Sequence, residues 1–308
     1  MTPRLATESS RGFAAALASF LAWGLLPIYW KALIAVGPIE ILCHRILWSL
    51  VFISIILTVK RRWPETFAPL SSPRNLLILA GSSLCIGGNW LLYIWSVNTG
   101  HVVETSLGYY INPLVNVLFG FIFFRERLNG YQYAAIGLAA LGVLNSVFSH
   151  GELPWISLTL AVSFACYGLL RKIASVESLP GLFLETMVLG PAALAYLIWV
   201  ESNGAGGFLA VSASTGLLLV GAGAVTALPL IGFAFGARRL QLSTVGILQY
   251  AAPSIAFLLG VFVYKEPFGP ENFITFALIW TGLALYTFDS VRALRRQRRV
   301  ASRPSADR

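Results

Sequence analysis

The sequence predicts an all-α integral membrane protein, with ten transmembrane helices arranged as two inverted repeats of five. Three observations predict it. Hydrophobic residues fill 57% of the 308 positions and charged residues 11%, with a mean hydropathy of +0.74, whereas charged residues are about a quarter of a soluble globular domain. The apolar runs are about 20 residues long, the length that crosses a ~30 Å hydrocarbon core as a helix. Later segments also repeat earlier ones at offsets of 144 and 140.

The spans are expected near 12–35, 40–59, 75–98, 101–124, 130–149, 153–171, 179–200, 213–236, 243–264 and 271–290. The first follows Arg4 and Arg11 as a secretory signal would, yet it runs on through Trp23, Pro27 and Tyr29 with no small-residue cleavage site, so it reads as an uncleaved helix. Spans two to five follow, the third and fourth being the richest in aromatic and amide side chains. Gly232 and Gly236 in span eight have the spacing that permits close helix approach. None of the runs alternates with period two, which excludes an outer-membrane barrel, and helices are the other solution that satisfies the backbone in lipid. The domain plan is a tail over 1–11, one repeat over 12–149, a second over 153–290, and a basic tail over 291–308.

Charge fixes the expected orientation. Of the 22 Lys and Arg residues, all except Lys31, Arg45 and Lys265 fall on one side of this map. The positive-inside rule then puts both termini in the cytoplasm of a bacterial inner-membrane protein. The same distribution accounts for the net charge of +9, so no nucleic-acid partner is called for. Lipid is the expected environment, and the arginine-rich tail can grip anionic headgroups. Cys43, Cys85 and Cys166 lie singly inside apolar runs, which points to neither a disulfide framework nor a metal site.

The repeat is explicit. Ser19-Phe20-Leu21-Ala22-Trp23-Gly24-Leu25-Leu26 returns as Ser163-Phe164-Ala165-Cys166-Tyr167-Gly168-Leu169-Leu170. At an offset of 140, Tyr110, Pro113, Gly120, Glu126 and Gly142 meet Tyr250, Pro253, Gly260, Glu266 and Gly282, with Arg125 opposite Lys265. An odd number of spans per half means the second half enters the membrane inverted, an architecture recurrent in secondary transporters.

Several strings resemble RarD-type proteins of the EamA family, in the drug/metabolite transporter superfamily. These are Trp23-Gly24, Glu40-Ile41-Leu42-Cys43-His44-Arg45, Gly87-Gly88-Asn89-Trp90-Leu91-Leu92, the run from Ser106 to Asn116, and Phe183-Leu184-Glu185-Thr186-Met187. The resemblance covers about residues 11–290. It implies the drug/metabolite transporter fold, a ten-helix bundle around a central substrate cavity, and secondary transport, in a group associated by name with chloramphenicol sensitivity.

Ionisable groups within spans are costly and must be paired, near an interface or facing water. Glu40 and His44 open span two on one helical face, either as a protonation couple or as a structural cluster at a helix N-terminus, with Arg45 about 100° further round. Lys31 is a snorkelling residue or a partner for Glu40, and Asp289 a partner for Arg292. Glu104 enters span four, and Glu185 lies inside span seven as a proton carrier or a salt-bridge anchor. Substrate-cavity candidates are Trp23, Asn89, Trp90, Tyr93, Tyr109, Tyr110, Asn112, Asn116, Tyr167, Gln249 and Tyr250. Pro113 between Asn112 and Asn116 predicts a broken, polar helix at mid-depth. Aromatic walls with a few polar groups suit an uncharged or amphipathic organic solute, and protons are the candidate coupling ion. No cofactor is expected. An enzyme is disfavoured by the lack of HExxH, GxSxG and GxxxxGK[ST] motifs. A membrane sensor or accessory subunit, or a channel-like pore, stays open.

Overall fold

In the computed structural model, the described residues are 3–174, 176–204, 206–208, 212–240 and 242–301. Ten helices are long and apolar enough to cross a membrane, and each coincides with an expected span. They are α1 (Pro3–Lys31), α2 (Pro38–Val59), α3 (Pro73–Asn98), α4 (Val102–Phe124), α5 (Gly130–His150), α6 (Trp155–Ala174), α7 (Ser178–Ser202), α8 (Ala213–Ala237), α9 and α10 (Pro270–Ala301). Helix α9 is assembled from Leu242–Leu248, Ala251–Leu258 and a π-helical turn, Leu259–Val263. This is a multi-pass membrane protein.

Local sequence sets the ends. Pro38, Pro73 and Pro270 open their helices, a position where the missing N–H costs nothing. Asn129 and Gln132 form a reciprocal capping box at the start of α5. Arg125 and Lys265, repeat mates, both stop the chain in the left-handed region at φ 54° and 57°. The tails depart from expectation: α1 starts at Pro3, and α10 continues to Ala301 instead of ending near 290. Arginine is a good helix former, and no Pro or Gly interrupts the run until Pro304. Arg303 and Arg308 lie outside the described residues.

Most packing joins the first five helices to the last five. Helix α1 lies on α8 and α9, α2 on α7 and α8, α3 on α6, α4 on α6 and α9, and α5 on α10. Small residues set these approaches, because lipid supplies no hydrophobic drive between helices. A Cβ on Gly236 would stand 2.6 Å from the Gly12 carbonyl oxygen, and one on Gly232 would stand 2.5 Å from Ser19 Oγ. The suggestive spacing of these two glycines is therefore the α1–α8 seam. The mates Gly142 and Gly282 likewise face each other's helices, where a Cβ would lie 3.1 Å from the Thr275 carbonyl oxygen and 2.8 Å from that of Ala135.

The expected break at Pro113 is not where the structure bends. Helix α4 runs unbroken from Val102 to Phe124, whereas α9 is interrupted at Gln249 and Tyr250. Pro253 has no N–H for the Gln249 carbonyl and crowds it, and Tyr250 N donates instead to Ile247 O at 3.2 Å. Pro113 does the same to Tyr109, but 44% of the α4 span is buried against 17% of the α9 span. Packing along α4 holds it straight.

Candidate functional site

Arg45 stands seven residues into α2, about 10 Å from the helix start, and is only 5% exposed. Its guanidinium lies over Trp90 at 4.0 Å and Trp30 at 5.1 Å, and its Nε donates to Thr226 Oγ1 on α8 at 3.0 Å. Tyr93 and Tyr109, packed edge to face at 5.7 Å, are its electrostatic neighbours. Among the described residues, Arg45 Nη1 has no hydrogen-bond partner and no carboxylate pairs with the group. A guanidinium stays charged at any accessible pH. At the centre of a span it costs about 2.5–3.5 kcal/mol on insertion scales, and desolvated cation–π contact offsets about 2 kcal/mol of that. The aromatic box leaves part of the charge uncompensated.

Glu40 and His44 make contacts separate from those of Arg45. Glu40 accepts from Gly207 N at 2.8 Å and Glu201 from Phe208 N at 3.0 Å, fastening the segment 206–208 across the helix ends. His44 packs its ring on Phe208 at 4.8 Å. No hydrogen bond joins Glu40 to His44 among the described residues, because backbone N–H groups occupy the carboxylate. His44, Glu201 and Phe208 border an apolar cavity of about 490 Å³ with Leu47 and Leu197. Lys31 caps none of these acids; its Nζ sits 4.4 Å above the Tyr264 ring.

Glu185 is fully buried in α7. Its Oε1 accepts from Ser82 Oγ at 2.6 Å, Tyr167 OH donates to Oε2 at 3.4 Å, and Arg171 Nε lies 3.6 Å away. Arg171 also donates to the Glu177 carbonyl at 2.9 Å, and it passes over Gly181, where any Cβ would occupy its place. Glu185 stands seven residues into α7 and at the offset of 140 from Arg45. These two positions thus carry opposite charges at the same distance from the starts of their own helices. That offset was readable in the sequence.

The remaining cavity candidates fall in separate places. Asn89 donates to Leu160 O at 3.0 Å and Ser163 Oγ at 2.9 Å, joining α3 to α6. Asn116 donates to Asn112 Oδ1 at 2.9 Å, so these amides satisfy each other along one face. Trp23 packs between Phe20 and Phe233 at 5.5 and 5.7 Å. Tyr110 and Tyr250 stack at 6.4 Å and, with Trp280 and Ser254, line an open cavity of about 580 Å³. Tyr110 OH shares a hydrogen bond with Ser254 Oγ at 2.6 Å, and Gln249 lies at the break just before Tyr250. Glu104 is in the first turn of α4, where its carbonyl accepts from Ser157 Oγ at 2.7 Å.

Sequence reasoning missed the residues that fasten the ends. Glu266 clamps the N-terminus of α4: its two carboxylate oxygens accept from Val102 N at 2.8 Å and Val103 N at 2.7 Å. At the opposite end Glu177 pairs with Arg62 and Arg238, each at 3.0 Å. The Arg62 guanidinium hydrogen-bonded to Glu177 holds that carboxyl below its ordinary 4.5. Asp289 does not pair with Arg292: it accepts from Asn129 Nδ2 at 2.6 Å, while Arg292 donates to Tyr131 OH at 3.5 Å. Both side chains reach across to the start of α5, which offers a donor and an acceptor on its surface.

The geometry describes helices meeting around buried charges. A family model described as "EamA-like transporter family" matches residues 10–148. An "Uncharacterized transporter" of Vibrio cholerae is 44% identical over 293 residues, covering 95% of this chain and 97% of that protein. "Protein RarD" of Escherichia coli is 43% identical over 291 residues, covering 94% and 98%. The chain belongs to the EamA-like transporter family. Within it, the chain is a homologue of the RarD proteins, in the drug/metabolite transporter group. A solved crystal structure, 20% identical, superposes with a TM-score of 0.58 over 90% of this EamA chain and 97% of the other, a likeness of fold.

Proposed function

We propose that this EamA chain is a secondary active transporter that exports small organic solutes by alternating access. Its moving parts are two inverted halves, 12–149 and 153–290, in the bacterial inner membrane with both termini cytoplasmic. One observation carries the reading: among the described residues, the Glu266 clamp on α4 has a repeat mate that is not clamped. The offset of 140 maps Glu266 to Glu126, and Val102 and Val103 to Leu242 and Ser243 at the start of α9. Glu126 is exposed and folds back over Gly120, and among the described residues it caps no helix. The periplasmic end is thus fastened by a directed bidentate clamp. The cytoplasmic end is held by exposed pairs of Glu177 with Arg62 and Arg238, which salt screens. Exchanging the clamps would turn one access state into the other.

Further support comes from the helix pairing, which maps onto itself when each helix is exchanged with the one five further on: α1–α8 becomes α6–α3, and α1–α9 becomes α6–α4. The family model also spans 10–148, the length of a single five-helix unit. The basic residues gathered at one end support cytoplasmic termini. Glu185, buried beside Arg171, is the group whose protonation would couple transport to a pH gradient. Reconstitution in protein-only liposomes tests the function. Saturable flux of a solute found by thermal-shift screening is expected; binding without flux would mean a sensor, and flux that never saturates a pore. Under an imposed pH gradient, Glu185→Gln should lose gradient-driven flux and keep binding. Unchanged flux would remove Glu185 from the coupling.

A further inference from the structure

We infer that Arg45 is the anchor for the carboxylate of an organic monoanion with a planar apolar body, and that such anions are the solutes this protein binds. The inference rests on the transporter reading for its purpose but on separate observations for its chemistry. The guanidinium is buried, permanently charged and without an acidic partner among the described residues, and its Nη1 donor is unpaired. The contrast with its repeat mate is informative. Glu185 has Arg171, Ser82 and Tyr167 around it, a cation and two hydroxyl donors, whereas Arg45 has Thr226 on Nε and otherwise aromatic faces.

Thr226 fixes the inner edge of the guanidinium plane, which leaves the terminal fork as the side for a ligand. That fork matches the two oxygens of a carboxylate. Charge count selects the class of anion. The groups surrounding Arg45 are Trp30, Trp90, Tyr93, Tyr109 and Thr226, and no second cation stands among them, so one negative charge is balanced and a phosphate dianion is not. Lys31, over the Tyr264 ring at the end of α1, attracts anions toward the helix ends without reaching the fork. The wall selects the body of the ligand. Trp90 and Tyr109 are only half-buried, while their neighbours Trp30 and Tyr93 are buried and fixed. Displacing the Trp90 face from the guanidinium would exchange a cation–π contact for a charge-paired one and leave an indole against the ligand's ring.

The experiment uses full-length protein purified in detergent, with benzoate and indole-3-acetate as probes and their neutral amides, benzamide and indole-3-acetamide, as controls. Thermal shift and equilibrium dialysis should detect the acids and not the amides. Arg45→Gln should weaken acid binding tenfold or more, and Arg45→Lys, which keeps the charge but loses the fork, should recover part of it. If Arg45→Gln fails to fold, Arg45→Lys alone decides: binding of the acids at native strength overturns the proposal. Amides binding as well as acids, or neither acid binding, overturns it too. Acid binding that depends on Arg45 in a protein that passes no solute in liposomes would leave this site standing and refute the transporter reading.

Discussion

Releasing the Glu266 clamp should open the end of the bundle where α4 begins. Glu266→Ala removes both acceptors from Val102 N and Val103 N and leaves the first turn of α4 without its carboxylate cap. Hydrogen bonds to charged groups contribute about 1.5–3 kcal/mol in mutational series. Water replaces part of this at a half-buried site, so the helix-cap figure of about 0.5–2 kcal/mol is the better guide. A bias of about 1–2 kcal/mol multiplies the open fraction by roughly 5–30. Spin labels at Thr99 and Glu271, both exposed on the segments that the clamp joins, report this as a longer, broader distance distribution. Glu266→Gln keeps one neutral acceptor and should shift the distribution in the same direction by less. Native distances in Glu266→Ala would refute the clamp as an element that decides the state. The complementary effect is an opposite end that closes less often in Glu126→Ala, although among the described residues Glu126 makes no cross-helix bond in the present state.

Three further outcomes are expected. Gly282→Leu drives a side chain into the Ala135 carbonyl, and overpacking of this kind costs about 1–3 kcal/mol; unfolding in mixed micelles should show that loss, and native stability would mean that α5 and α10 are not tightly joined. The Glu177 latch should ignore pH across the neutral range. Its carboxyl is held below 4.5, so the contribution is present above that value and is lost only as pH falls through the depressed one; labels at Lys60 and Arg239 should keep their separation from pH 8 to 5 and part only in stronger acid, or at high salt. Tyr110→Phe deletes the hydrogen bond to Ser254, a loss of about 0.5–1.5 kcal/mol, readable in the same unfolding assay and absent if that bond is not formed.

The fold was legible because lipid simplifies the code. Apolar runs of one length can be only helices, and the matching strings beginning at Ser19 and Ser163 place α1 and α6 as counterparts. The glycine seams were half-legible: the spacing of Gly232 and Gly236 was visible, but its partners on α1, Gly12 and Ser19, come from a distant part of the chain. The site was less legible, since it depends on rotamers and on contacts between different helices, some of them more than a hundred positions apart, as for Arg45 with Thr226 and Ser82 with Glu185. Arg45 could be picked out as an intramembrane charge, yet its box of Trp30, Trp90 and Thr226 draws on three other helices. Glu40 and His44 share a helical face as periodicity requires, but the acceptor sites of Glu40 were taken by Gly207, a loop residue with no pattern to announce it. Pro113 and Pro253 are sequence equivalents with different outcomes, because the break depends on how firmly each helix is clasped.

The discontinuity in α9 has a mechanical consequence. A helix interrupted at its centre can swing one end while the other stays seated, so the half containing Gln249 can yield by local bending. Its counterpart α4, unbroken, must tilt as a rod and carry its neighbours with it. These two helices, matched in sequence at an offset of 140, would then cross barriers of different height whenever they reorient, with the stiff rod the slower of the two.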